Sequence, residues 1–78
     1  MDRRTKIAEV IERISGKKVT ISPEASLFET GILDSFALVE VLASLENEFG
    51  ITIPDSDLSP RQFDSLVRIE NYIENKGK

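Results

Sequence analysis

One apolar stripe constrains the fold more than any other feature of the sequence. Between Asp34 and Gly50, apolar residues recur at the three- and four-residue spacing of one helix face. The stripe consists of Leu38, Val41, Leu42, Leu45 and Phe49. Asp and Ser are favoured at helix starts, and Gly is favoured just past helix ends. The pattern therefore predicts an amphipathic helix from Ser35 to Phe49, with Gly50 ending it.

Two shorter apolar patterns predict two further main helices. The first helix runs from about Asp2 to Ser15 and stops at Gly16. The last runs to about Asn75 and is capped by Asp64 or Ser65. Their stripes are Ile7, Val10, Ile11 and Ile14 in the first helix, and Leu66, Ile69, Tyr72 and Ile73 in the last. Both stripes are expected to face a common core.

The segments between these helices predict a long loop and one short helix. Residues 17–33 contain turn signals and no helical stripe. Their apolar residues, which we expect to pin the loop to the core, are Leu27, Phe28, Ile32 and Leu33. Ser59 and Pro60 suit the cap and first position of a brief helical turn through Phe63. The predicted fold is all-α, in one domain spanning residues 1–78: a small four-helix bundle of three main helices and one short helix.

Two missing residue types narrow the chemistry. The sequence contains no His and no Cys, which excludes Ser-His and Cys-His nucleophile pairs and Cys/His zinc sites. A domain of 78 residues also has little room to wrap a substrate. Asp55 and Asp57 resemble the start of a calcium loop, but Pro60 stands where such a loop needs Gly. The composition therefore favours a non-catalytic protein without a metal site.

The charge is distributed unevenly along the chain. Residues 19–60 contain eight acids and no base, whereas residues 1–18 contain six bases and three acids. An acidic segment repels nucleic acid and attracts basic protein surfaces, although a solvated face that aids solubility explains the pattern equally well. No apolar run reaches membrane-spanning length, and the first residues lack the apolar stretch of a secretory signal. A cytoplasmic, monomeric protein is expected.

Ser35 is the candidate functional residue. Taken alone, Asp34 and Ser35 are most simply interpreted as a helix cap. Asp34 can serve as that cap, however, and leave the Ser35 hydroxyl free. A phosphate ester on this hydroxyl would lie at the positive end of the helix dipole, beside unpaired backbone N–H groups. The position is therefore suited to carry a phosphodiester.

A second apolar stripe on the same helix consists of Phe36, Val39 and Ala43. One amphipathic helix in a small bundle does not need two apolar stripes. The second stripe either covers the long loop or stays exposed for partner proteins. Glu40 and Asn47 would border it.

The stretch from Leu27 to Phe36, with the sequence LFETGILDSF, resembles the modification site of acyl and peptidyl carrier proteins. The segments Leu45–Pro54 and Ile69–Ile73 are similar to the family's second-helix exit and last helix, so that the resemblance covers about residues 5–74. It implies a 4′-phosphopantetheine arm esterified to Ser35, whose thiol carries an acyl group as a thioester. It also implies that Asp34 helps to position the metal ion while the arm is attached.

The resemblance further implies a set of partner enzymes. They are a phosphopantetheinyl transferase, an acyl- or aminoacyl-activating ligase, and acyl-transfer or synthase enzymes with basic surfaces. Phe36, Val39, Glu40 and Glu46 match positions on the family's partner surface. Ala43 and Asn47 are added from the second stripe and its border.

Three hypotheses remain open at this point. The first is an acyl carrier protein of fatty acid or polyketide biosynthesis, although Phe36 stands where such carriers usually have Leu. The second is a D-alanyl or other aminoacyl carrier loaded by an adenylating ligase, because Phe63 and Asp64 before the last helix look more like D-alanyl carrier proteins. The third is an unmodified acidic helical adaptor, whose partner binding would persist in Ser35→Ala.

Overall fold

The computed structural model describes residues 3–76, and the helices follow the predicted order. The elements are α1 at Arg3–Ser15, α2 at Ser35–Phe49, a 3-10 helix at Asp55–Asp57 and α3 at Leu66–Lys76. No strand occurs within these described residues. The all-α class and the three main helices are confirmed. The predicted first residue of α1, Asp2, lies outside the described range.

Caps at both ends explain why α2 has the predicted bounds. Asp34 has extended backbone angles, and its carboxylate accepts a hydrogen bond of 2.8 Å from the backbone N–H of Ala37. At the other end, Gly50 takes a left-handed conformation with φ 63°, and its N–H donates to the carbonyl of Glu46. Glycine adopts this φ without the steric cost that a Cβ brings. The turn directs the chain back over the last turn of α2.

The link between α2 and α3 differs from the prediction. The predicted helical turn at residues 59–63 is present as two hydrogen-bonded turns, and the Ser59 hydroxyl accepts the N–H of Gln62 at 3.3 Å as the predicted cap, but the turns do not extend into a short helix. The short helix lies earlier, at Asp55–Asp57, directly after Pro54. Local backbone hydrogen bonds close this turn, and the Tyr72 hydroxyl of α3 adds a contact distant in sequence by donating to the Asp57 carboxylate at 2.5 Å. Within residues 3–76 the structure thus shows three α-helices and one 3-10 turn, which confirms the predicted four-helix bundle only in part.

The core lies where α1 packs against both α2 and α3. Its buried side chains are Ile7, Val10 and Ile11 of α1; Leu38, Val41, Leu42 and Leu45 of α2; Leu66, Ile69 and Ile73 of α3; and Leu27, Ile32, Leu33, Ile53 and Phe63 of the connecting segments. Phe28 is half-buried against this cluster. The predicted pinning of the long loop is therefore confirmed. Each fully buried side chain of this size contributes about 1.5–3 kcal/mol.

Ion pairs join the basic face of α1 to acids on the other helices. Glu48 of α2 pairs with Lys6 at 3.2 Å and with Arg13 at 3.9 Å. Glu70 of α3 pairs with Arg4 at 2.8 Å. Exposed pairs of this kind contribute up to about 1 kcal/mol each, so they support the helix packing without dominating it. Within residues 3–76, no helix combines the length and apolar character needed to cross a membrane.

Candidate functional site

The Ser35 side chain is exposed at the first residue of α2. Its hydroxyl makes no hydrogen bond to any described residue. Asp34 occupies the capping position instead, as the sequence predicted, and leaves this hydroxyl free. A surface hydroxyl in this state can be esterified without the loss of a structural contact.

Backbone donors surround the hydroxyl. The N–H groups of Ala37 and Leu38 are used by the Asp34 carboxylate at 2.8 Å and the Asp34 carbonyl at 2.9 Å. The N–H groups of Ser35 and Phe36 have no partner among the described residues. Unpaired N–H groups at a helix start carry partial positive charge and favour an anion. The start of α2 is therefore suited to a phosphodiester on Ser35.

The end of the long loop holds this site in place. Gly31 has a φ of 78° and its N–H donates to the Phe28 carbonyl at 3.1 Å, which turns the chain. The N–H of Leu33 then donates to the Leu27 carbonyl at 3.0 Å. Ile32 and Leu33 are buried directly before Asp34 and Ser35. Two buried anchors and a closed turn therefore fix where α2 begins.

A second joint ties the same loop to the start of α3. The Ser26 hydroxyl donates to the Asp64 carboxylate at 2.6 Å, and the Leu27 N–H donates to the Asp64 carbonyl at 2.7 Å. The Ser65 hydroxyl accepts the N–H of Arg68 at 3.2 Å and caps α3. The sequence predicted either Asp64 or Ser65 as the cap of α3. Ser65 is the cap in the structure, and the Asp64 carboxylate instead accepts a hydrogen bond from Ser26 of the long loop.

The second apolar stripe faces solvent. Phe36 is 85% exposed and Val39 is 51% exposed, and Ala43 is also exposed. Glu40 and Asn47 border the stripe and are exposed as well. Of the two alternatives for this stripe, exposure is therefore favoured, although Phe36 also lines a cleft with Gly31 and Ile32 of the long loop. Partner binding by these residues stays a prediction.

Glu46 has a structural contact that sequence reasoning missed. It is half-buried, and its carboxylate accepts the backbone N–H of Ile53 at 2.8 Å. The left-handed turn at Gly50 brings the following segment back over the end of α2, which places Ile53 within reach. The Gly50 signal could have indicated this contact. A role for Glu46 in partner binding stays a prediction.

Other candidate chemistry lies away from Ser35. Burial, together with the hydrogen bond to Asp57, raises the pKa of Tyr72 to about 12. Tyr72 belongs to α3 and packs edge-on against Phe63, with the ring centroids 4.9 Å apart. Within residues 3–76, no group of three or more His, Cys, Asp or Glu side chains could hold a metal ion.

Three helices pack around one core, and an exposed serine hydroxyl lies at the start of an acidic helix. The sequence matches the family described as "Phosphopantetheine attachment site" over residues 5–73. The chain belongs to this family. Its members are non-catalytic substrates of partner enzymes and carry a covalently attached 4′-phosphopantetheine. The predicted class of carrier and the predicted cofactor are confirmed.

Several relatives are D-alanyl carrier proteins. The chain is 30% identical to D-alanyl carrier protein 1 of Lactiplantibacillus plantarum over 74 residues, which cover 95% of this chain and 92% of that protein. It is 37% identical to the D-alanyl carrier protein of Bacillus velezensis over 67 residues, which cover 86% of this chain and 82% of that protein. It is 31% identical to that of Leuconostoc mesenteroides subsp. mesenteroides over 75 residues, which cover 96% of each chain. The predicted similarity to D-alanyl carriers is confirmed.

The residues at the start of α2 fit the family's cofactor. A phosphodiester needs an accessible alcohol, and the Ser35 hydroxyl is exposed and unengaged among the described residues. It also needs a setting that accepts negative charge, which the N–H groups of Ser35 and Phe36 provide. When bound, the group supplies the thiol that a chain without cysteine lacks.

Proposed function

We propose that Ser35 is the residue to which 4′-phosphopantetheine is attached, and that the protein carries D-alanine on this arm. One observation carries the first part of the proposal: the hydroxyl at the start of α2 is exposed and makes no hydrogen bond to a described residue. In this proposal a phosphopantetheinyl transferase attaches the arm and an adenylating ligase loads the amino acid. The protein then delivers its cargo as a cytoplasmic monomer.

The comparisons with known proteins support D-alanine as the cargo. The relatives described above, with 30–37% identity over most of the chain, are D-alanyl carrier proteins. A fatty or polyketide acyl group is the alternative cargo. It would use the same Ser35 site, because attachment depends on the alcohol and not on the cargo.

We further propose that α2 presents the arm through its exposed face. Its apolar part is Phe36, Val39 and Ala43, and its polar border is Glu40 and Asn47. Glu46 lies on the same helix, and one of its carboxylate oxygens already accepts a hydrogen bond from the backbone N–H of Ile53. An apolar patch edged by acids suits enzymes with a basic rim around an apolar centre. Charge attraction would speed the encounter, and the small apolar area would allow rapid release.

Intact mass spectrometry of the protein purified from its native source tests this proposal. We expect a mass increase equal to one 4′-phosphopantetheine group, with part of the population further increased by one alanyl group. Fragmentation should locate the modification on the peptide that contains Ser35. The mass of a fatty or polyketide acyl group in place of the alanyl group would support the alternative cargo. An unmodified mass, together with partner binding that persists in Ser35→Ala, would support the acidic adaptor instead.

A further inference from the structure

A cleft of about 260 Å³ opens beside Ser35, between the end of α1 and the start of α2. Both sequence neighbours of Ser35, Asp34 and Phe36, line this cleft. Ile14 of α1 and Ile32 of the long loop supply further apolar lining. Ser35 itself does not line the cleft, but it lies between two residues that do, so a group attached to its hydroxyl starts one residue away from the cavity.

Lys17 gives the cleft its one basic group. The side chains with charge that line it are Lys17, Asp34 and Glu40. The Lys17 ammonium donates to the carbonyl of Gly31 at 2.5 Å and pairs with no carboxylate of the described residues. An ammonium group has three N–H donors, so two of them are left for another acceptor. Residues 19–60, which include the start of α2, contain no base at all.

We propose that this cleft is a resting site for the first part of the 4′-phosphopantetheine arm. Lys17 pairs with the phosphodiester, and the apolar walls at Ile14, Ile32 and Phe36 contact the geminal methyl groups next to it. This inference rests on the proposed attachment at Ser35. It deepens that proposal by assigning Lys17 as a positioning residue that sequence reasoning did not single out.

The charge balance of the site supports this assignment. A phosphodiester on Ser35 adds one negative charge beside Asp34 and Glu40. Like charges at short range repel, and the repulsion is stronger in a cleft than in open water. The Lys17 ammonium offsets that repulsion because it lines the same cavity. Without it, the arm would extend into solvent away from the two acids.

A matched set of variants isolates the charge of Lys17. Lys17→Gln removes the ammonium, and Lys17→Arg keeps a cation that can still donate to Gly31. Lys18→Gln is the control, because Lys18 is the adjacent base, is exposed and does not line the cleft. Each protein is first converted to the modified form and its mass is checked. Failure of the wild type at this step contradicts attachment at Ser35 and is thereby separated from failure of the resting site.

NMR spectra of the unmodified and modified proteins then test the resting site. We expect amide shift changes at residues 15–17 and at Gly31, which are distant in sequence from Ser35, and NOEs from the geminal methyl groups to Ile14 or Ile32. In Lys17→Gln these changes should shrink about two- to fivefold, the range expected for the loss of one exposed ionic contact. Lys17→Arg and Lys18→Gln should keep them.

Two results would overturn the inference. The first is a correctly modified wild-type protein whose shift changes are confined to residues 34–37, with no NOE to Ile14 or Ile32. The second is an equal reduction in Lys17→Gln and Lys18→Gln, which would indicate a general charge effect. Thermal unfolding of the unmodified variants guards against a folding defect. If Lys17→Gln unfolds at a lower temperature than the wild type, the wild-type NOEs and the Lys17→Arg spectra still test whether the arm rests in the cleft.

Discussion

The Ser26 hydroxyl donates a hydrogen bond of 2.6 Å to the carboxylate of Asp64, across 38 positions of the sequence. The same hydroxyl oxygen accepts the N–H of Glu29 at 3.0 Å. One serine thus joins the loop that ends at Ser35 to the segment that begins α3. The precision with which the candidate site is held depends on this joint as well as on the buried side chains.

Replacement of Ser26 tests the joint. In Ser26→Ala the half-buried Asp64 carboxylate loses its hydroxyl donor, which should lower the free energy of unfolding by about 1–2 kcal/mol. For a domain of this size that corresponds to a decrease in Tm of about 5–15 °C, measured by circular dichroism. Ser22→Ala is the control, since the exposed Ser22 hydroxyl only accepts the Glu24 N–H at 3.4 Å. Equal Tm values for the two variants would show that the joint is not important.

Two replacements of Asp34 separate its capping role from its charge. Asp34→Ala removes the hydrogen bond to the N–H of Ala37 and should cost about 1 kcal/mol of stability. Asp34→Asn keeps a good cap and should stay within about 0.5 kcal/mol of the wild type. Both should slow the attachment of the arm, because both remove the carboxylate beside Ser35. Normal attachment kinetics in Asp34→Asn would show that the carboxylate acts only as a cap.

Changes on the exposed face of α2 should impair function more than folding. Phe36→Asp and Glu40→Lys alter side chains at the surface, so unfolding free energies should change by less than about 0.5 kcal/mol. Modification and loading, followed by mass spectrometry over time, should be clearly slower. Leu58→Asp is the control, since Leu58 is an exposed large apolar side chain outside α2. A loss of stability in Phe36→Asp that matches its loss of loading would contradict a surface role.

The raised pKa of Tyr72 predicts how stability depends on alkaline pH. The folded protein holds the phenolic proton up to a pKa of about 12, whereas the unfolded chain releases it near the ordinary value of 10.0. The unfolded state therefore binds fewer protons between these values, and stability falls as the pH rises through this window. The contribution is fully present below about pH 10. Urea unfolding at several pH values should show a steeper decline for the wild type than for Tyr72→Phe, and equal slopes would contradict the assignment.

The part of the fold that local signals encode could be predicted from the sequence. Asp34 and Gly50 bound α2 because a cap and a left-handed glycine act on their own neighbours. The exposure of the Ser35 hydroxyl could be predicted in the same way, since Asp34 takes the capping role and leaves that hydroxyl free. The apolar loop residues were also predictable, because a long loop must bury its apolar side chains somewhere.

Contacts between distant segments account for what the sequence did not reveal. The short helix at Asp55–Asp57 has local hydrogen bonds, but it is also held by Tyr72, far along the chain, whose hydroxyl donates to Asp57. Ser65 caps α3 because Asp64 is engaged by Ser26. The cleft beside Ser35 needs the end of α1 to approach the start of α2. No local pattern carries these pairings, since each depends on how the finished core positions the chain.

Mass spectrometry of Ser35→Ala tests the central claim most directly. Wild-type protein, Ser35→Ala and Ser56→Ala are each incubated with a phosphopantetheinyl transferase and coenzyme A. Ser56 is the control because its side chain is also exposed and makes no hydrogen bond to a described residue. We predict that the wild type and Ser56→Ala gain the mass of one 4′-phosphopantetheine group and that Ser35→Ala gains none. A full gain in Ser35→Ala, or no gain in the wild type, would contradict attachment at Ser35.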